Sequence, residues 1–205
     1  MRKLEVLTRL NTEKIMAIIR VENFERAVEI VEGCLTGGVS CLEISYTNAN
    51  AGEIIKKLKD KYQDRVLIGA GTVLDSETAL QAVQSGAEFM IAPNFSLAVA
   101  KTCNRYQVPY MPGCTTMTEI VVALEAGADM IKIFPNSALI GPKIISTIRT
   151  PMPYVPLLSS GGVTPDNIDE WVKAGVNCMG VGTLLSKGTT KEIAENAKLL
   201  KAQIK

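Results

Sequence analysis

Apolar positions along this chain alternate between two rhythms. Short, nearly unbroken runs such as Ile15-Met16-Ala17-Ile18-Ile19 and Met130-Ile131-Lys132-Ile133-Phe134 read as strands covered on both faces. Between them apolar residues recur three and four apart, the spacing of one helix face. The pattern predicts strands near 15–20, 39–45, 66–72, 89–93, 109–113, 130–134, 154–159 and 178–182. It predicts helices near 24–36, 50–61, 76–85, 96–106, 117–126, 139–149, 165–174 and 189–203, with a short helix at about 3–10 ahead of the first strand.

Glycine punctuates this alternation. Gly38, Gly86, Gly127 and Gly175 each follow a predicted helix and precede a strand. Glycine takes the left-handed conformation of a helix C-terminus without a Cβ penalty. The intervals, about 41 to 48 residues, each hold two β–α units. Eight units fill residues 1–205 with no linker or low-complexity tract. Eight short strands and the absence of a GxGxxG turn favour a closed single-domain (β/α)8 TIM barrel with a short N-terminal helix over an open doubly wound sheet.

Composition narrows the chemistry. There are 205 residues, 47% of them hydrophobic, and the formal net charge is +1. That balance gives no electrostatic bias towards nucleic acid or a membrane surface. No run reaches the roughly 18 apolar residues of a membrane span, and the charged N-terminus has no signal core; a cytoplasmic protein is expected. The five cysteines are scattered without a CxxC pair, so buried free thiols are expected rather than bridges or zinc ligands. Histidine is absent, which removes imidazole triads, His-ligated zinc and imidazole acid–base chemistry. Proton transfer must run through carboxylates, lysine, tyrosine, thiols or hydroxyls.

Two ionisable residues interrupt buried strands. Lys132 lies within an apolar run ended by Pro135, and Glu43 within Leu42-Glu43-Ile44. Burial disfavours the ammonium and leaves a neutral amine, a nucleophile towards carbonyl carbon. Burial raises a carboxyl pKa and a nearby cation lowers it, a balance suited to proton shuttling. The plain alternatives are a lysine snorkelling to solvent and a structural Glu–Lys pair.

Barrels of this kind place their chemistry at the C-terminal ends of the strands. Arg20 ends strand 1 and offers a cation to a carboxylate or phosphate, or to its neighbour Glu22. Gly69-Ala70-Gly71-Thr72 ends strand 3 with room for a ligand and a hydroxyl. Ser159-Ser160-Gly161-Gly162-Val163-Thr164-Pro165 and Gly180-Val181-Gly182-Thr183 end strands 7 and 8, the usual phosphate site of the architecture. Thr164 reads as an N-cap and Pro165 as the first helical residue. Pro93 and Phe134 are candidate walls around an imine, or simply strand punctuation and core.

These motifs, in order and spacing from about Ile15 to the last helix, resemble the family of 2-keto-3-deoxy-6-phosphogluconate (KDPG) aldolases. That family also includes 4-hydroxy-2-oxoglutarate and 2-keto-3-deoxy-6-phosphogalactonate aldolases. The resemblance is carried by Leu42-Glu43-Ile44, Gly69-Ala70-Gly71-Thr72-Val73, Pro112-Gly113, Ile131-Lys132-Ile133-Phe134-Pro135, Gly161-Gly162-Val163 and Gly182-Thr183. It implies a class I, metal-free and cofactor-free aldolase that assembles as a homotrimer. It makes Lys132 the Schiff-base residue and Glu43 the acid/base. Thr72 would hold the pyruvyl carboxylate, Pro93 and Phe134 would line the pocket, and Ser160, Gly161, Gly162, Gly182 and Thr183 would bind phosphate. Thr47 stands where many members carry arginine, with Arg20 the candidate replacement cation. Ser159-Ser160 replaces a Pro-Thr pair and keeps the hydroxyl at Ser160.

The expected reaction is reversible cleavage of KDPG to pyruvate and D-glyceraldehyde 3-phosphate, with 4-hydroxy-2-oxoglutarate a second candidate substrate. The phosphogalactonate epimer is the alternative. A phosphosugar isomerase or epimerase using Glu43 as base, and a non-catalytic phosphometabolite-binding protein, are rivals of other classes.

Overall fold

The computed structural model describes residues 2–204. Helix α1 (Arg2–Glu13) buries Val6 and Leu10, one helical turn apart, and Lys14 turns the chain sharply at φ 58° into β1 (Ile15–Ile19). Strand–helix alternation then runs through α2 (Phe24–Thr36), β2 (Cys41–Ser45), α3 (Ala51–Tyr62), β3 (Leu67–Gly71) and α4 (Ser76–Gln84). It continues through β4 (Met90–Ile91), α5 (Leu97–Tyr106), β5 (Tyr110–Met111), β6 (Gly113–Cys114) and α6 (Met117–Glu125). The last third holds β7 (Ile131–Ile133), α7 (Asn136–Ile140), α8 (Lys143–Arg149), β8 (Leu157–Ser160), α9 (Ile168–Lys173), β9 (Cys178–Val181), α10 (Thr183–Ser186) and α11 (Thr190–Ala202). Among the described residues no helix is long and apolar enough to cross a membrane.

Every strand pairing is parallel, in the order β5-β4-β3-β2-β1-β9-β8-β7-β6. The two ends of that order are halves of one segment. Pro112 separates β5 from β6 because its ring nitrogen has no proton for the ladder. Its carbonyl still accepts from the Lys132 N–H at 2.9 Å, while Ala92 N–H donates to the Met111 carbonyl on the other side at 3.2 Å. Residues 110–114 therefore join both edges and close the sheet into the expected barrel.

Local chemistry sets the helix ends. Asn23, Asp75, Ser96, Thr116 and Thr189 each accept a backbone N–H at a helix start, and Glu119 and Glu192 complete capping boxes. The four punctuating glycines all have positive φ, between 85° and 92°. Besides the strand foreseen at 109–113, which Pro112 divides, three expected elements differ. The helix foreseen at 139–149 is two pieces, since Gly141 at φ 79° and Pro142 interrupt it. The helix foreseen at 165–174 starts at Ile168. There Asn167 Oδ1 accepts the Thr164 N–H at 2.9 Å and its amide donates to the Gly162 carbonyl at 2.8 Å, so Thr164 is not the cap. Strand β8 begins at Leu157 rather than 154, because Pro156 can accept from Ile131 N–H (2.9 Å) but cannot donate.

Two cores result. The outer one lies between sheet and helices, with Ile15, Ile44, Ile68, Tyr110, Leu157 and Trp171 among its members. The inner one fills the lower barrel with Met16, Cys41, Leu67, Phe89, Met111, Met130, Leu158 and Cys178, and Val6 and Leu10 of α1 close it from below. All five cysteines are buried and free. Desolvation pushes Cys34, Cys103, Cys114 and Cys178 up to about 12, so they are inert thiols rather than nucleophiles.

Candidate active site

Strand alternation carries the inner core upward into a different environment. Two residues beyond Cys41, Leu67, Met111, Met130 and Cys178 come Glu43, Gly69, Gly113, Lys132 and Gly180. Above an apolar floor, the barrel thus holds two ionisable side chains surrounded by glycines. The glycines are needed for space. A Cβ on Gly71 would overlap the Glu43 carboxylate, one on Gly69 would overlap the Phe89 ring, and one on Gly180 would lie 3.0 Å from Ile18 Cδ1.

Glu43 is 1% exposed and Lys132 6%. Glu43 Oε2 is buried without a hydrogen-bond partner, so the lysine does not satisfy it as a close structural pair would. Burial raises the Glu43 carboxyl above its usual range, and the charges of Lys132 and Arg20 oppose that rise. Burial lowers the Lys132 ammonium; the Glu43 charge opposes this and Arg20 adds to it. Both groups are driven towards their neutral forms, a nucleophilic amine and a protonated acid. Lys132 Nζ stands 5.0 Å from the Phe134 ring centroid, which walls one side. Pro93, half-buried, lays its carbonyl against Gly113 next to the lysine strand.

At the rim of β2 and β3 is a hydroxyl cluster. Ser45 and Thr72 hydroxyls are 3.0 Å apart, and Thr47 Oγ1 donates to Ser45 Oγ at 3.2 Å. Thr72 has φ 59°, an unusual conformation for a β-branched residue that costs about 1–3 kcal/mol. Such strain is retained when the surroundings over-determine it, and the Ser45 contact together with Ala70 and Val73 pairing does so. Arg20, exposed just past β1, reaches the buried pair through its field rather than by contact.

On the opposite rim, Ser160-Gly161-Gly162 leaves β8 with both glycines at positive φ (89° and 80°). Gly161 N–H donates to the Gly180 carbonyl at 3.3 Å, linking this turn to the one that carries Gly182 and Thr183 into α10. Space around Gly182 is open. The fold thus gathers sequence-predicted residues at one barrel mouth in three groups: Lys132 with Glu43 in the centre, Thr47 and Thr72 on one side, and the glycine turns on the other.

Two residues here carry no sequence prediction. Ser45 follows Glu43 by two, so strand alternation alone pointed it inward. Ser137, fully buried after Pro135, accepts the Ser160 N–H at 3.1 Å and donates to the Ser160 carbonyl at 3.2 Å. Nothing in its sequence neighbourhood signals that contact. A cavity of about 710 Å³ lies at the other end of the barrel, between α1 and the approaches to β4 and β5. Its charged lining is internally paired, as in Lys3–Asp129 at 3.0 Å, and it does not include Lys132 or Glu43.

A desolvated amine and carboxyl at the C-terminal mouth of a parallel barrel are the equipment of carbonyl chemistry. Comparison with known proteins gives the same direction. The family model described as KDPG and KHG aldolase matches residues 6–201. The 2-dehydro-3-deoxy-phosphogluconate aldolase of Treponema pallidum is 35% identical over 163 residues, 80% of this chain and 77% of that protein. The 2-dehydro-3-deoxy-6-phosphogalactonate aldolase of Escherichia coli K12 is 36% identical over 169 residues, 82% of this chain and 81% of that one. The 2-keto-3-deoxy-6-phosphogluconate aldolase of Zymomonas mobilis ZM4, solved with 3-phosphoglycerate, superposes with a TM-score of 0.86 at 25% identity, covering 98% of this chain and 96% of that one. The chain belongs to the KDPG and KHG aldolase family, and is therefore an aldehyde-lyase acting on a small molecule.

Proposed function

We propose that this single-domain barrel cleaves KDPG reversibly to pyruvate and D-glyceraldehyde 3-phosphate through a Schiff base on Lys132. The observation that carries the reading is the joint burial of Lys132 and Glu43, with one carboxylate oxygen left unpartnered. Such an arrangement is unfavourable for stability and is explained by use.

The neutral Lys132 amine adds to the C2 ketone, and proton transfer gives a carbinolamine. Glu43 protonates the departing hydroxyl, water leaves, and a cationic imine remains. The Glu43 carboxylate, directly or through water, takes the proton of the C4 hydroxyl. The C3–C4 bond breaks, its electron pair moving through C3 and C2 to the imine nitrogen. Glyceraldehyde 3-phosphate leaves as the aldehyde. The enamine gains a proton at C3, and hydrolysis releases pyruvate and the free lysine. Thr72, braced by Ser45 and Thr47, is the candidate holder of the pyruvyl carboxylate. The glycine turns of β8 and β9 form the phosphate end in this reading, and the Zymomonas relative solved with 3-phosphoglycerate supports a phosphorylated three-carbon ligand without locating it. Arg20 is an additional cation for the anionic substrate.

Assembly as a homotrimer is part of this proposal. Leu139, 78% exposed, and Ile140 on α7 together with Tyr154 supply apolar surface for contact between copies. Light scattering should read three copies of the 22.1 kDa chain. The cytoplasm is the proposed site of action, where phosphorylated sugar acids are held.

Borohydride reduction with pyruvate present should leave a stable adduct on Lys132. Steady-state comparison should give KDPG a higher kcat/KM than the phosphogalactonate epimer or 4-hydroxy-2-oxoglutarate. An unmodified protein, or an adduct on another lysine, would overturn the assignment.

A further inference from the structure

The Ser160 peptide lies where the β7–β8 ladder ends. Their last paired residues are Ile133 and Ser159, and beyond them the β7 chain turns away at Pro135, which has no N–H. Ser160 therefore faces an edge with no strand beside it. Ser137 takes the place of that strand. Its single hydroxyl accepts the Ser160 N–H (3.1 Å) and donates to the Ser160 carbonyl (3.2 Å), satisfying both polar groups of one buried residue. On the other edge Ser160 pairs with Gly180, so its peptide is fixed from both sides.

The following turn is seated on the same piece of chain. A Cβ on Gly161 would lie 3.1 Å from Ala138 Cβ, and one on Gly162 would lie 3.4 Å from Ala138 Cα and from the Ser137 carbonyl oxygen. The segment that leaves the lysine strand is thus packed and hydrogen-bonded against the glycine turn. Lys132 and Ser137 are five residues apart in sequence and both buried, so one short stretch relates the amine to the turn.

We propose that Ser137 is a positioning residue. By clamping the Ser160 peptide, it sets the place of the Ser160-Gly161-Gly162 turn relative to Lys132, and so governs use of phosphorylated substrates while leaving imine formation alone. This rests on the aldolase reading above. Ser137 touches neither the keto acid nor the amine in that scheme; it acts through the turn.

The test is Ser137→Ala, assayed in the synthetic direction with pyruvate and either D-glyceraldehyde 3-phosphate or D-glyceraldehyde, alongside borohydride trapping of pyruvate. Leaving two buried backbone groups unpartnered should lower kcat/KM for the phosphorylated aldehyde about tenfold or more, chiefly through KM. Trapping rate and use of the unphosphorylated aldehyde should change by less than about twofold. An equal loss on both aldehydes would mark a merely structural role and overturn the proposal, as would an unchanged preference for phosphate. If the alanine variant does not fold, Ser137→Cys takes its place with a thiol that bonds more weakly. A partial loss of phosphate preference then supports the proposal, and full retention overturns it. The parent enzyme separates the two levels. If it neither traps pyruvate nor prefers the phosphorylated aldehyde, the aldolase reading fails and Ser137 falls with it. If the parent does both and the variants keep the preference, Ser137 alone is misassigned.

Discussion

The carboxylate of Glu43 occupies the space that a side chain on Gly71 would need. The two residues are on adjacent strands, two register positions apart and so on the same face, since Glu43 pairs with Gly69 and Ser45 with Gly71. Gly71 has ordinary strand geometry, so its importance lies in the missing Cβ. Gly71→Ala should fold and push the carboxylate aside. A displacement near 1 Å at a reacting group costs on the order of 100-fold in rate. Measuring kcat for cleavage and the melting temperature together checks this: activity should fall steeply while the protein stays folded.

Lys132 is a stability liability. Burial holds its folded pKa below the unfolded value, so between the two values the unfolded chain carries more protons and stability rises with pH. Lys132→Met removes that slope together with all activity. The variant should melt a few degrees higher than the parent near neutral pH, corresponding to about 1 kcal/mol. Its advantage should shrink as pH rises towards the unfolded lysine pKa. Thermal melts across pH decide the point; a parent more stable than the variant at pH 6 would contradict it.

Arg20 lowers the pKa of both buried groups from the rim. Arg20→Met should shift the acid limb of pyruvate trapping to higher pH, because a larger fraction of Lys132 is then protonated at any given pH. Arg20 is exposed, so added salt should diminish the difference between the proteins. A pH profile of trapping rate at two ionic strengths reads both effects.

Ser45 is the hub of the hydroxyl cluster, in contact with Thr72 and Thr47. Ser45→Ala removes one buried hydroxyl and frees Thr72 to reorient. One net hydrogen bond of about 1 kcal/mol corresponds to a KM for pyruvate raised about fivefold. Steady-state kinetics with pyruvate as the varied substrate checks it, and unchanged KM would remove Thr72 from the carboxylate site.

Much of this architecture was legible because the signals are local. Burial on both faces leaves continuous apolar runs, and five helix starts carry their own capping side chain while four helix–strand turns carry a glycine. Lys132 and Glu43 were legible for the converse reason: a charge in such a run contradicts its setting. The misreadings arose where a side chain bonded back to nearby backbone or where a proline lacked a proton. Asn167 folds back onto Thr164 and shortens α9. Pro156 delays β8, Pro142 splits a helix, and Pro112 divides a barrel strand. Ser137 was invisible because its partner, Ser160, is 23 residues away and the contact is to backbone, which any residue type could provide.

Helix α1 and the ring of methionine, leucine, phenylalanine and cysteine side chains close the barrel beneath Lys132 and Glu43, leaving the strand C-terminal mouth as the way out. A molecule tethered by its second carbon to the amine has its far end nearest the exit. The severed distal fragment must clear that doorway before the tethered one can follow. In the proposed reaction the covalent tether, rather than relative affinity, then dictates the sequence of departure: aldehyde first, keto acid last.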